Sequence, residues 1–314
     1  MICGSRQPHT SRSRLLPLLL LAPPSLAAQT PAYTPHRVYD THAKKFIDFE
    51  MMTAKLAAAD VVFVGEEHDD PPTHRMEHAL LEGIARRRDA VLALEMFERD
   101  TQGALDAYLA GTTDEADFLA GARPWPRYVT DYRALVELAK ERKWPVVAAD
   151  VPRRFASMVA RGGLAALDSL ADTSRTQVAR EIDCPDDDYA KRFRKEMDGM
   201  QGHGGAPASP EDTKARIERM YTAQCVKDET MAESVARVWE PGRLIVHFNG
   251  SFHSDFGLGA AARVKRRLPN ARVVVVSMVP TPDLDQLDPR GDDRKRADYL
   301  LYVLKLATAS PAPH

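Results

Sequence analysis

The sequence lacks a hydrophobic run long enough to cross a membrane. Its apolar stretch Leu15-Leu16-Pro17-Leu18-Leu19-Leu20-Leu21-Ala22 is far short of the ~20 residues a spanning helix needs, and no later segment is longer, so no stable membrane insertion is expected. It also lacks an excess of either charge. A net charge of -2 with both signs interspersed leaves no long basic face, which excludes nucleic acid as a partner; Arg86-Arg87-Arg88 and Lys265-Arg266-Arg267 read as solvated helix faces. Nucleotide-binding glycine patterns are missing, since Gly257-Leu258-Gly259 is too short for a phosphate loop or a dinucleotide fingerprint. Gly250-Ser251-Phe252 lacks the second glycine of a nucleophile elbow, which argues against a serine nucleophile. Cysteine is scarce, with only Cys3, Cys184 and Cys225 in the chain.

What the N-terminal region does contain is ordered. Arg12 and Arg14 precede the apolar run, and Pro23-Pro24 and the small residues Ser25-Leu26-Ala27-Ala28 follow it, the order of a secretory signal peptide spanning residues 1-28 with cleavage near Ala27 or Ala28. A periplasmic or secreted location is therefore expected. A lipoprotein would need a cysteine directly after the cleavage site, and Cys3 lies upstream of the apolar run. Cys184 and Cys225 would remain in an oxidising compartment, where an isolated pair tends to bridge, and a disulfide between them is expected.

Residues 29-314 read as a single α/β domain. Val61-Val62-Phe63-Val64, Ala90-Val91-Leu92-Ala93-Leu94, Val146-Val147-Ala148-Ala149, Leu244-Ile245-Val246-His247-Phe248 and Val273-Val274-Val275-Val276 are continuous apolar runs, the pattern of strands buried on both faces of a parallel sheet. Helical spacing over 77–87, 134–142 and 259–267 separates several of them, so a wound, mostly parallel sheet with flanking helices is expected. Val38-Tyr39 and Phe46-Ile47 suggest a hairpin before the core, and Tyr299-Leu300-Leu301-Tyr302-Val303 a last strand. Between about 152 and 238 the strand signal stops. Helical spacing and a Gly202-to-Pro210 loop mark that segment as a helical lid insertion over the strand ends, and the tail at about 307–314 reads as disordered.

Ligands of a wound sheet gather at the carboxyl ends of its strands. Four strand ends here are polar: Gly65-Glu66-Glu67-His68-Asp69-Asp70, then Glu95-Met96-Phe97-Glu98, then Asp150, then His247 to His253. Charged residues directly after a buried strand rarely serve packing, which singles out Glu66 and His68. Carboxylate and imidazole together suit either a divalent metal or a general base with its orienting partner. His74 and His78, four apart on one helix face, are more simply surface or capping residues.

The motifs Val62-Phe63-Val64-Gly65-Glu66-Glu67-His68-Asp69 with His74, Leu94-Glu95-Met96-Phe97, Asp228-Glu229-Thr230-Met231-Ala232 and Asn249-Gly250-Ser251-Phe252-His253 with Gly257-Leu258, taken in order, resemble the ChaN-like haem-binding family over about residues 35 to 280. The resemblance implies an exported protein of haem-iron acquisition, with an α/β core and a helical lid. Its implied partners are haem, a second copy of the chain holding haem groups face to face, and an outer-membrane receptor. The implied iron ligand is a tyrosine. Trp125-Pro126-Arg127-Tyr128-Val129-Thr130-Asp131-Tyr132-Arg133 resembles the family's aromatic segment, making Tyr132 or Tyr128 the first candidates, with Arg127 or Arg133 to favour a phenolate, His68 and His253 as further haem contacts, and Tyr189 and Tyr221 left open. Met96, Phe97, Met197, Met200 and Phe252 would face a porphyrin or serve as plain core. The same motifs are similar to a broader superfamily that includes erythromycin esterases and Tiki metalloproteases. In that reading Glu66 or Glu95 acts as general base while His68 and His253 orient a water or hold a divalent metal.

Overall fold

Alternate residues of each apolar run point to opposite sides of a strand, so runs such as Val61-Val62-Phe63-Val64 need cover on both faces. The computed structural model describes residues 33–200 and 209–305, together with residues 1, 2 and 4. The expected leader (apart from those last three positions), most of the Gly202-to-Pro210 loop, and the tail lie outside the described residues. Eight strands form one sheet: β1 (His36–Asp40), β2 (Lys45–Ile47), β3 (Val61–Glu66), β4 (Ala90–Glu98), β5 (Val146–Asp150), β6 (Leu244–Gly250), β7 (Val273–Thr281) and β8 (Tyr299–Leu304). Their order is β2-β1-β8-β7-β3-β6-β4-β5. The six from β8 to β5 run parallel, and the β1-β2 hairpin closes one edge antiparallel. The fold is thus α/β, with a mostly parallel sheet.

Helices α1 (Phe49–Leu56), α2 (Pro71–Ala85), α3 (Gln102–Leu109), α4 (Glu115–Ala122) and α5 (Arg133–Arg142) fill the connections as far as β5. Between β5 and β6 the regular elements are all helical: α6 (Arg153–Gly162), a short 3₁₀ turn, α7 (Asp172–Arg175), α8 (Asp188–Met200) and α9 (Pro210–Val238). The chain then adds α10 (Gly259–Arg267) between β6 and β7, and α11 (Asp293–Arg296) before β8. One face of the sheet presents Val62, Val64, Leu92, Leu94, Val246 and Phe248 to Leu80, Leu81 and Ile84 of α2 and Leu135 and Val136 of α5. The other presents Val61, Phe63, Val91, Ala93 and Ile245 to Met231, Ala232 and Val235 of α9 and Ala260, Ala261 and Val264 of α10. Each such fully buried aliphatic contributes about 1.5–3 kcal/mol relative to exposure, so the two layers dominate the fold's energetics.

Inside the insertion, Cys184 and Cys225 form a disulfide with Cα atoms 5.5 Å apart. It ties the segment before α8 to the middle of α9. The basic run on α10 departs from a purely solvated face: Arg263, Arg266 and Arg267 all pair with Glu229 of α9, whose carboxylate is buried. A buried carboxylate draws nearby cations because leaving it unpaired would cost several kcal/mol.

Candidate functional site

Strand order is what assembles the site. β6 is inserted between β3 and β4, so the carboxyl ends of three strands distant in sequence stand side by side. Glu66 closes β3 opposite Gly250 of β6, and Glu95 follows Leu94 of β4, which is opposite Phe248. Gly250 donates its backbone N–H to Glu95 Oε2 at 2.8 Å. A Cβ on Gly250 would lie 2.8 Å from His68 Nε2, so only glycine lets this imidazole lie against the strand end.

The first half of the site centres on Glu66. Its Oε1 accepts from His68 Nδ1 at 2.6 Å and from the Tyr132 hydroxyl at 2.7 Å. Because an ionised carboxylate only accepts, His68 must carry its proton on Nδ1, which leaves Nε2 as a lone pair in the neutral ring. Burial pushes the Glu66 carboxyl up, but hydrogen bonds from His68 and His74 outweigh it and hold Glu66 ionised at about 2. α2 places His74: Asp70 caps it by accepting from Thr73 N at 3.0 Å, and Pro71 and Pro72 form the first turn. His74 is buried, with Nδ1 3.2 Å from Glu66 Oε2 and 3.0 Å from Glu77 Oε2. Burial depresses the His74 imidazolium, yet the two carboxylates raise it to about 11, whereas burial and the Glu66 charge push Glu77 well above the usual carboxylate range. His78 lies elsewhere, on a surface shared with Glu82 and Glu137, so His74 and His78 do not converge.

The second half centres on His253, held in the short 3₁₀ turn after β6. Nδ1 lies 2.7 Å from Asp228 and Nε2 3.3 Å from Glu95, so both nitrogens face carboxylates. Burial lowers its basicity, but Glu95 and Asp228 lift it to about 9. Glu95 itself is raised by burial and carried well below its ordinary value by His253 and Lys227. Lys227 Nζ is 2.9 Å from Glu95 and 3.5 Å from Asp150, whose carboxyl burial pushes up to about 6. Gln224, Lys227 and Asp228 sit at i, i+3 and i+4 of α9 and share the face turned to the strand ends.

A cavity of about 630 Å³ opens over these groups. Glu66, His68, Gly250 and His253 form its floor, and Tyr189, Phe193 and Met197 of α8 with Phe252 form its apolar wall. Arg192, Lys195 and Arg296 also line it. Of the expected apolar contacts, Met197 and Phe252 line the cavity, whereas Met96 and Phe97 belong to the core beneath the sheet. Met200's side chain lies outside the described residues.

The tyrosines fall differently. Tyr132 sits at the end of a π-helical turn, Tyr128–Tyr132, that aims its hydroxyl at Glu66; it is 1% exposed and does not line the cavity. Tyr128 packs among Phe97 and Phe118, 2% exposed. Burial raises both phenols, and neighbouring acidic groups add to it, so neither forms a phenolate in this arrangement. Arg127 pairs with Asp69 and Asp131, and Arg133 with Glu115, so those cations serve carboxylates rather than phenols. The tyrosine that reaches the cavity is Tyr189, against Phe252 and Gln224. Tyr221 instead donates to the Pro185 carbonyl. Reasoning from sequence missed Gln224 and Lys227 as site residues. Their signal was faint: polar side chains on helix faces that the pattern alone would give to solvent.

Over residues 52–264 the chain matches the family described as haem-binding uptake, Tiki superfamily, ChaN. Among solved structures it is similar to ChaN of Campylobacter jejuni, described as binding haem cofacially, with 19% identity, a TM-score of 0.65, and coverage of 85% of this chain and 96% of that one. A Bacillus cereus protein shows 11% identity and a TM-score of 0.47 over 82% of this chain and 92% of its own. A mutant of the erythromycin esterase EreC in an open conformation shows 13% identity and a TM-score of 0.45 over 86% and 83%. No curated protein matches the sequence significantly.

Proposed function

The chain belongs to the ChaN haem-binding family of the Tiki superfamily, and on that premise we propose that it is an exported haem-binding protein of iron acquisition, holding haem in the cavity between the strand ends and α8. The observation that carries this reading is the state of His68. Glu66 fixes its tautomer, and among the described residues its Nε2 has no hydrogen-bond partner, while the ring lines the cavity and packs edge-on to Trp125 with centroids 4.8 Å apart. A carboxylate on the far nitrogen orients an imidazole ligand and raises its basicity.

The residues fit the group. Haem needs a broad cleft with an apolar wall, here Phe193, Met197 and Phe252, and cations for its propionates, here Arg192 and Lys195. His68 would hold the iron, and bound haem would supply the redox-active metal that uptake delivers. Tyr189 stands as the tyrosine alternative because it lines the cavity, which Tyr132 and Tyr128 do not, even though it is as buried as Tyr128 and burial and Asp228 raise its phenol too. The cavity is only partly enclosed, so a haem there would leave a face for a second copy of the chain to cover, in line with a homodimer. The disulfide suits an oxidising compartment, in line with a cleaved leader and periplasmic or secreted location; delivery to or from an outer-membrane receptor completes the proposal.

Haemin titration followed at the Soret band tests it. Wild type is expected to saturate at one haem per cavity at micromolar haemin, with His68→Ala losing or shifting the band while Tyr132→Phe and Tyr128→Phe retain it. No Soret shift in wild type would refute haem binding, and a loss confined to Tyr189→Phe would move the ligand there.

A hydrolase reading rests on the same pair, since a carboxylate-held imidazole with a free Nε2 is also how a general base is presented. His253 at about 9 and Glu66 at about 2 lie far from the near-neutral pKa such a base requires, and His68 is the imidazole that faces the cavity with its far nitrogen held by a carboxylate. Equal turnover of esters and peptides by wild type, His68→Ala and Glu66→Gln would eliminate it.

A further inference from the structure

We propose that Glu66, His74 and Glu77 form a buried binding site for one divalent transition-metal ion beneath the haem cavity, with Glu66 common to both. A donor nitrogen of His74 and one oxygen from each carboxylate lie within 4.8 Å of one another. His74 Nδ1 is 3.2 Å from Glu66 Oε2 and 3.0 Å from Glu77 Oε2. Two ligands of a tetrahedral zinc ion stand roughly 3.3 Å apart, so this set encloses a cation after shifts of a few tenths of an ångström.

Two independent features point to an occupant. The far nitrogen, His74 Nε2, lies 3.1 Å from the His68 backbone carbonyl, which can only accept. That contact fixes a proton on Nε2 and turns Nδ1 toward the two carboxylates, so a metal would bind there in place of the Nδ1 proton, with the far nitrogen held as in a metal-ligating histidine. Glu77 Oε1 has no hydrogen-bond partner among the described residues, and Glu66 Oε2 has only the longer 3.2 Å approach of His74 Nδ1, although Glu66 is 2% and Glu77 0% exposed. Buried carboxylate oxygens without partners are costly, and a shared cation removes the cost at both.

Glu66 also lines the cavity, which places one of the three ligands at its floor. With its Oε1 engaged by His68 and Tyr132, Glu66 would join the metal to the cavity through its two oxygens. Two carboxylates and one imidazole suit zinc, manganese or iron(II) rather than a thiophilic ion.

The competing occupant is a proton on Glu77, and the test separates the two. The untagged full-length chain is stripped with a chelator, then titrated with Zn²⁺ by calorimetry and with Co²⁺ by visible absorption. One ion per chain is expected, with cobalt ligand-field bands of low coordination number. Glu77→Gln keeps the shape of a protonated Glu77 and should fold like wild type, yet weaken metal binding by more than about 100-fold. His78→Ala, which removes the imidazole on the outer surface of the same helix, should leave zinc affinity within about threefold. Absence of a bound ion in wild type, or undiminished binding in Glu77→Gln, overturns the site. Neither outcome bears on the Soret titration, so this proposal and the haem reading fail separately.

Discussion

At the scale of single residues, the site depends on what Gly250 lacks. A methyl group there would meet His68 Nε2 at 2.8 Å and Cε1 at 2.9 Å, so the ring would have to turn away from the strand end. Gly250→Ala is expected to fold and to bind haemin roughly tenfold more weakly, a change of about 1.4 kcal/mol; unchanged affinity would show that His68 is not held by that contact. His253 makes a pH prediction. Its folded pKa of about 9 lies above the ordinary value of 6.5, so its stabilising contribution is complete below about pH 6.5 and is lost as pH rises through 9. Glu95 of β4 and Asp228 and Gln224 of α9 contact it, with Lys227 paired to Glu95 and Arg263 of α10 to Asp228 behind them. The lost contribution is on the order of 3 kcal/mol. Urea unfolding of wild type should therefore weaken from pH 6.5 to 9, and His253→Gln should show a shallower slope; parallel slopes would contradict the assignment. Glu66 and His68 were legible in the sequence because charge after an all-apolar strand has no packing role. Gln224 and Lys227 were not, because a polar residue on a helix looks solvent-facing until the helix is docked.

At the scale of elements, the insertion shows how local pattern and long-range contact divide the work. Its helices follow from spacing, and Ser209 caps α9 by accepting from Asp212 N. What α9 contributes to the site depends on which face meets the sheet, which Met231, Ala232 and Val235 decide by packing on it. The disulfide closes a loop with a sequence separation of 41 residues, for which chain entropy gives about 4 kcal/mol. Replacing both cysteines by serine should lower the urea-unfolding free energy by about 2–4 kcal/mol and loosen α8, whose Phe193 and Met197 wall the cavity. Haem affinity should fall with it. If stability is unchanged under oxidising conditions, the bridge does not form in solution. The π-helical turn before α5 is another element that local pattern did not foretell: its extra residue per turn rotates Tyr132 inward onto Glu66.

At the scale of the whole molecule, the proposed dimer carries the remaining prediction. If an open cavity leaves one haem face uncovered, haem loading should convert monomer to dimer, and sedimentation velocity with and without haemin reads this directly. A haem-loaded monomer at tens of micromolar chain would refute the cofacial arrangement while leaving haem binding intact. Both halves of the site lie at one edge of the sheet, so a bound haem would sit against the Glu66 half and the His253 half at once.

By itself the sequence determined the strands, the helices between them, the run of polar strand ends and the two cysteines available to bridge, because apolar periodicity and the chemistry of termini are local properties. The tertiary structure alone decided that β6 enters between β3 and β4. That insertion makes neighbours of Glu66, Gly250 and Glu95, while the docking of α9 brings Asp228 and Lys227 over them and packing in the core buries Tyr132 and Tyr128 away from the cavity. Strand order reflects the packing of every crossover helix at once. No window of residues carries that information.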